Sequence, residues 1–241
     1  MSTKIEWTEE TWNPITGCTK KSAGCKFCYA EVMSRRLQAM GTPGYENGFK
    51  LTLHPERLLD PLKRKKPTKY FVNSMSDLFH EKVPVDFINK IISVIEKTPQ
   101  HQYQILTKRA DVMYKYFKTH KVPDNVWVGV TVENKVSGVP RMDYLRKITA
   151  KIHFISAEPL LEDLGELNLK GIDWVIVGGE SGINARPMEE SWAVNIQKQC
   201  KKNKVKFFFK QWGTWGADKT RGSKKTNGKS LRGKIYNEMP K

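Results

Sequence analysis

Short runs of β-branched and aromatic residues alternate along this chain with segments of helical periodicity, and that alternation is its tightest constraint on fold. Residues 69–73, 103–107, 126–132, 151–156, 174–177 and 205–209 read as strands. Runs such as Val175-Ile176-Val177 and Phe207-Phe208-Phe209 are apolar without alternation, which suits strands covered on both faces. Between them, residues 85–97 place Phe87, Ile88, Ile91, Ile92 and Ile95 on one helical stripe, and 110–118, 140–147 and 189–202 also read as helices. A further strand is expected near residues 11–15. Six or seven β/α units favour an α/β fold with a partial or complete parallel (TIM-like) barrel over a short open sheet.

Three of the four cysteines, Cys18, Cys25 and Cys28, fall within eleven residues just after that first strand. Such grouping of soft thiolate ligands in a cysteine-poor chain points to zinc or an iron–sulfur cluster rather than a disulfide framework. The number three matters: a structural zinc site is normally closed by four protein ligands, whereas three thiolates on a four-iron cluster leave one iron open. Gly17 and Gly24 precede the first two cysteines and are expected to let the backbone wrap a bulky inorganic core, while Phe27 holds a ring beside it. Cys200, within an expected helix, reads as an ordinary helix cysteine, and the five histidines lack metal spacing. His80 alone among them lies near a strand end.

Reading each strand off its C-terminal edge gives Ser74, Ser76 and Asp77, then Lys108 and Arg109, Thr131 and Glu133, Ser156 and Glu158, Gly178, Gly179, Glu180 and Ser181, and Lys210, Gln211 and Trp212. In a parallel barrel these edges share the face where ligands bind, so the set is expected to ring one site. Helix capping and loop solvation compete as explanations for each residue singly, as does plugging of the barrel mouth for Trp212.

The net charge of +17 implies a field that attracts polyanions, nucleic acid above all. The excess is clustered in Lys63-Arg64-Lys65-Lys66, in Lys201, Lys202, Lys204 and Lys206, and in a tail carrying Lys219, Arg221, Lys224, Lys225, Lys229, Arg232 and Lys234. A solvated basic surface is the competing reading. Two segments are therefore expected: residues 1–212 as the barrel, and 213–241 as a basic loop or arm from which Leu231, Ile235, Tyr236 and Met239 are available to dock. No run approaches the ~18 apolar residues of a membrane span, and the polar start Met1-Ser-Thr-Lys has no signal-peptide core. The expectation is a cytoplasmic protein without a membrane partner.

Cys25-Lys26-Phe27-Cys28 resembles the second half of the cysteine signature of the radical S-adenosylmethionine superfamily. The Cys18–Cys25 spacing of six residues departs from the usual three. The segments Asn73-Ser-Met-Ser-Asp-Leu-Phe79, Leu106-Thr-Lys108, Gly129-Val-Thr-Val-Glu133, Ser156-Ala-Glu-Pro-Leu160, Val177-Gly-Gly-Glu-Ser181 and Lys210-Gln-Trp-Gly213 are similar to a phage- and mobile-element-associated branch of that superfamily. The resemblance implies a [4Fe–4S] cluster on Cys18, Cys25 and Cys28, and S-adenosyl-L-methionine chelated by the open iron. It further implies an external one-electron donor, and cleavage to a 5′-deoxyadenosyl radical that takes hydrogen from substrate. By strand position the cosubstrate's ammonium is assigned to Ser74, Ser76 or Asp77. Phe27, Thr131, Glu133, Gly178, Gly179 and Glu180 complete the cofactor-binding set. Lys108, Arg109, Gln211 and Trp212 are the candidate substrate contacts, for phosphate and base, with Glu158 and Lys210 as catalytic candidates.

Three functions are compatible with these residues. The first is a radical enzyme modifying or repairing a nucleic acid or nucleotide, the second a radical enzyme acting on a peptide or small metabolite. The third is a zinc-stabilised nucleic-acid-binding protein without turnover.

Overall fold

The computed structural model describes Thr3 and residues 5–241; the opening Met1-Ser2 and Lys4, part of the polar start read above, lie outside the described residues. The strands are β1 (Glu10–Trp12), β2 (Ile15–Thr16), β3 (Thr52–Leu53), β4 (Lys69–Val72), β5 (Gln102–Thr107), β6 (Val126–Thr131), β7 (Ile152–Ala157), β8 (Trp174–Gly178), β9 (Lys206–Gln211), β10 (Ser230–Leu231) and β11 (Lys234–Ile235). The helices are α1 (Tyr29–Ala39), α2 (Val85–Glu96), α3 (Ala110–Phe117), α4 (Arg141–Leu145), α5 (Glu190–Lys202) and α6 (Lys224–Asn227).

Seven strands form one sheet in the order β1-β4-β5-β6-β7-β8-β9. Each strand of the sheet lies beside its predecessor, without the reversal of order that marks a doubly wound sheet, so this is the order of a parallel β/α barrel left partial. β2 and β3 pair separately as a short antiparallel ladder, as do β10 and β11. The chain divides into two compact units, one of residues to 21, 28–129 and 148–151, the other of residues 22–27, 130–147 and 152–241.

In the first unit, β1, β4 and β5 run in parallel register, Glu10 opposite Tyr70 and Tyr70 opposite Tyr103. α2 buries Phe87, Ile88, Ile91, Ile92, Val94 and Ile95, the expected stripe plus Val94. At ~1.5–3 kcal/mol per buried side chain of this size, that stripe supplies enough to fix the helix on the sheet. In the second unit, every residue of β8 is buried, and Phe207, Phe208 and Phe209 of β9 are buried beside it. α5 turns Ala193, Val194, Ile196 and Cys200 inward. α4 is shorter than the expected 140–147, and starts only after Pro140.

Two features differ from the sequence expectation. α1 was not expected, because Tyr29, Val32 and Met33 are exposed and only Ala30 and Ser34 are buried, so no inward apolar stripe announces it. The tail is not a free arm. Phe209 donates its backbone N–H to Tyr236 O at 2.9 Å, Glu238 donates to Phe207 O at 3.2 Å, and Phe208 bridges Asn237 in antiparallel fashion, so the chain end covers the outer edge of β9. Leu231 is buried, Trp212 Nε1 donates to Ser230 O at 2.9 Å, and Trp174 Nε1 donates to Glu238 O at 2.8 Å. Of the four residues expected to dock, Leu231 does so fully, while Ile235 is exposed.

Candidate active site

Cys18 and Cys28 belong to the first unit. Gly17 precedes Cys18 with φ 77°, and a Cβ there would lie 2.1 Å from Lys50 O. The glycine is required by the crossing of residues 49–50, where Cys18 N–H donates to Phe49 O at 3.2 Å, rather than by the bulk of a cofactor. Cys28 stands at the N-cap of α1, its carbonyl accepting from Val32 N–H at 3.2 Å. Tyr29 next to it donates its hydroxyl to Ser74 O.

Asp77 and Arg109, both buried, form the centre of this part. Asp77 Oδ1 accepts from Phe79 N–H at 3.0 Å and Thr107 Oγ1 at 2.7 Å. Its Oδ2 accepts from Lys108 N–H and Arg109 Nη1, both at 3.1 Å. Those four bonds fill a carboxylate, which leaves Asp77 no site for an ammonium donor. Arg109 is equally committed: Nε donates to Glu81 Oε2 at 2.7 Å, Nη1 to Asp77 and to Cys18 Sγ at 3.5 Å, and Nη2 to Thr19 O at 3.1 Å and Thr19 Oγ1 at 3.0 Å. All five donors are spent, so the residue expected to meet substrate phosphate instead fastens the start of the cysteine loop. Burial works against ionisation of Glu81, but hydrogen bonds from Arg109, its own backbone N–H and Lys21 outweigh it and hold its pKa down at about 2.

His80 lies on the same network. Its Nδ1 accepts from Lys82 N–H at 3.1 Å, so the neutral ring carries its proton on Nε2, 2.9 Å from Thr19 Oγ1. Burial and then the Arg109 charge lower its pKa, keeping it neutral at pH 7. Ser74 donates to Asn13 Oδ1 at 3.2 Å and Ser76 to Ile15 O at 3.0 Å, so each hydroxyl oxygen keeps acceptor lone pairs. Lys108 is half-buried, and among the described residues its ammonium has no partner.

Cys25 belongs to the second unit. It ends a one-turn 3₁₀ helix, Ala23–Cys25, that buries no residue. Glu133, fully buried, accepts from the Ser22 hydroxyl through Oε1 and from Arg141 Nη1 through Oε2 at 2.6 Å. The same Arg141 nitrogen donates to Thr131 O at 2.7 Å. Glu180 accepts from Arg186 Nε at 2.8 Å, Nη2 at 2.6 Å and backbone N–H at 2.9 Å. Arg186 Nη2 also donates to Ala23 O at 3.0 Å, and its guanidinium lies 5.4 Å from the centre of the Phe27 ring. Lys26 Nζ lies 5.2 Å from the same centre, so two cations are within cation–π reach of this ring.

Glu158 and Lys210 meet as an ion pair at 2.9 Å, each less than a fifth exposed, with Ser156 Oγ donating to the other Glu158 oxygen at 3.1 Å. Gly178 lies against this pair, since a Cβ there would come 2.7 Å from Glu158 Oε1. At Gly179 a Cβ would come 1.8 Å from Trp212 O. Both glycines are explained by close packing within the protein. Gln211 donates to Ser181 Oγ at 3.0 Å, and its buried Oε1 has no partner among the described residues. Trp212 is 2% exposed and sits edge-on to Phe209, so it packs the strand end and offers no face for a base.

A family model matches residues 2–240 of the chain. The chain belongs to the family described as "Protein of unknown function (DUF5131)". No curated protein matches this DUF5131 member. Among solved structures it is similar to a spore photoproduct lyase double mutant with bound AdoMet and dinucleoside spore photoproduct, at 14% identity over 84% of this chain with a TM-score of 0.47. It is also similar to a single mutant of that lyase at 14% identity and TM-score 0.48, and to the lyase complexed with dinucleoside spore photoproduct at 12% and 0.43, each over 84% of this chain. The DUF5131 chain spans 63% of the length of those proteins.

The three loop cysteines form no disulfide and are partly exposed, whereas Cys200 is buried, its thiol pushed up to about 12 by burial and then by Glu238. Among the described residues no three His, Cys, Asp or Glu side chains converge on a point as a single metal ion would require. In an iron–sulfur cluster each thiolate binds a different iron, so such a group does not require that convergence, and thiolates are the soft donors it takes. The residues sequence reading missed are Glu81, Arg141, Arg186, Ser22 and Asn13. Nothing in sequence separates a buried arginine that holds a loop from a solvated one. Among the described residues no helix is long and apolar enough to cross a membrane.

Proposed function

We propose that this protein is a radical S-adenosylmethionine enzyme acting on a nucleic acid or nucleotide. The observation that carries the reading is the cysteine loop. Three partly exposed thiols follow the first strand of a parallel sheet in barrel order, on a segment fastened by arginine–carboxylate pairs whose Asp77, Glu133 and Glu180 side chains are buried, while the fourth cysteine is sealed in a helix. Cys18, Cys25 and Cys28 would hold a [4Fe–4S] cluster, which when bound supplies the electron that cleaves S-adenosylmethionine to a 5′-deoxyadenosyl radical. An external donor of single electrons is the implied partner.

The remaining residues bind and orient. Ser74 and Ser76 keep acceptor lone pairs for the cosubstrate's ammonium, a role that Asp77 has surrendered to Arg109. Phe27, with Arg186 and Lys26 both within reach of its ring, is the candidate aromatic beside a planar group. Lys108 meets substrate phosphate as a point charge, and Lys210, held by Glu158, presents an ammonium whose partner carboxylate moves a proton to or from substrate. Gln211 Oε1 accepts a hydrogen bond from the bound molecule. The nucleic-acid assignment is supported by the net charge of +17 and by the exposed Lys63, Arg64, Lys65 and Lys66.

Anaerobic reconstitution with iron and sulfide, followed by reductant and S-adenosylmethionine, tests the reading through formation of 5′-deoxyadenosine. Activity is expected to vanish on alanine replacement of Cys18, Cys25 or Cys28 and to survive Cys200→Ala. Equal losses in all four variants would refute the ligand assignment, and retention on DNA or RNA that ignores salt would refute the substrate class.

A further inference from the structure

None of residues 22–27 is fully buried. The 3₁₀ helix Ala23–Cys25 buries no residue, has no side-chain cap and carries Cys25 at its end. Its fixed contacts are polar and come from two carboxylate–arginine pairs. Glu133, locked by Arg141, receives the Ser22 hydroxyl. It also presses on Gly24, where a Cβ would lie 3.0 Å from Glu133 Cγ and 3.2 Å from Oε1, which explains the glycine. Arg186, locked by Glu180, holds Ala23 O and covers the Phe27 ring. The Ser22 hydroxyl stands 3.9 Å from Cys25 Sγ. Four of the six residues are thereby gripped, and Cys25 is bracketed among them.

We propose that Glu133 and Glu180 are positioning residues. With Arg141 and Arg186 they preset the Cys25 segment in the metal-free protein, so that this thiol is in place before any cofactor arrives. The inference rests on the reading of Cys25 as a ligand only for its purpose; the contacts that would preset the segment are all made by the protein's own side chains. Buried carboxylates already saturated by arginine and serine donors are poorly placed to bind a cosubstrate, which reassigns both glutamates from the cofactor-binding set. Arg186 is a rigid fork that passes the position of Glu180 on to Ala23 O, whereas Arg141 fixes Glu133, which itself touches Ser22.

The test uses amide hydrogen exchange in the apoprotein. Cys25 N–H donates to Ser22 O at 2.9 Å and Lys26 N–H to Ala23 O at 3.2 Å, and these two amides report opening of the segment. Ser22→Ala, a change too peripheral to unfold the protein, is expected to speed their exchange about tenfold, the effect of one charge-assisted hydrogen bond. Ser22→Thr, which keeps the hydroxyl, restores protection, and amides of α2 do not change. Glu133→Gln is expected to match or exceed Ser22→Ala at the same two amides. After reconstitution, Ser22→Ala loses iron to a chelator about tenfold faster than wild type, with Ser22→Thr again restoring it. Unchanged exchange at both amides in Ser22→Ala and Glu133→Gln overturns the proposal. A protein that takes up no iron while the exchange result holds removes the cluster reading and leaves the preset segment standing.

Discussion

Replacing Asp77 by Asn separates a strut from a ligand. Asparagine keeps the acceptor that serves Phe79 N–H and Thr107 Oγ1, but turns an amide donor toward Lys108 N–H and Arg109 Nη1. Arg109, 2% exposed, is then left with Glu81, whose side chain is 46% exposed, as its one remaining carboxylate partner. Breaking a buried ion pair by removing one partner costs ~3–5 kcal/mol, and the surviving Glu81 contact keeps the expected loss near the bottom of that range, about 3 kcal/mol. For a chain of this size that corresponds to a Tm fall of roughly 6–12 °C. Urea unfolding followed by tryptophan fluorescence reads it directly. A cycle with Arg109→Met is expected to return a coupling of about 2 kcal/mol, because the double variant buries no unpaired charge. A loss below about 1 kcal/mol, with weaker S-adenosylmethionine binding instead, would refute the reasoning and restore Asp77 as a cosubstrate contact.

Other outcomes follow from the same geometry. Cys200, with a pKa pushed up to about 12, carries ~10⁻⁴ thiolate at pH 8, so native protein treated with iodoacetamide is expected to be modified at Cys18, Cys25 and Cys28 while Cys200 stays intact in peptide mass maps. Glu81 has a pKa lowered from 4.5 to about 2, so its contribution to stability is complete above pH 4.5 and lost as pH falls toward 2. Glu81→Gln should flatten the stability profile in that window, and an unaltered slope would contradict the pairing with Arg109. Lys65 and Lys66 are exposed, and changing both to glutamate should lower the salt slope of nucleic-acid binding by at least ~2; an unchanged slope places the phosphate track elsewhere.

The strands were legible because apolar runs such as Val175-Ile176-Val177 have no other stable place than a sheet covered on both faces. α2 was legible for its stripe, whereas α1, carrying Tyr29 and Val32 on an exposed face, has none. The cysteines stand out by residue type and proximity, which is the ground on which their ligand role is proposed. Roles at the strand ends were harder to read, since Asp77, Arg109 and Glu133 differ from ligands only in what surrounds them after folding. Asp77 and Arg109 were expected to face cosubstrate and substrate, and instead they face one another. Trp212 illustrates the same limit, because its indole is sealed by Ser230 and Phe209, one of which lies in a tail too polar to announce that it packs. That tail is held by backbone bonds to β9, and backbone pairing leaves little trace in side-chain composition.

The central claim is an open iron corner beside three thiolates, and electron paramagnetic resonance of the anaerobically reduced protein tests it most directly. The spectrum of a reduced [4Fe–4S] cluster should appear in the protein with Cys18, Cys25 and Cys28 intact, and its g values should shift when S-adenosylmethionine is added. A reduced protein that carries zinc and no such signal, or a cluster signal that ignores S-adenosylmethionine, would contradict the account.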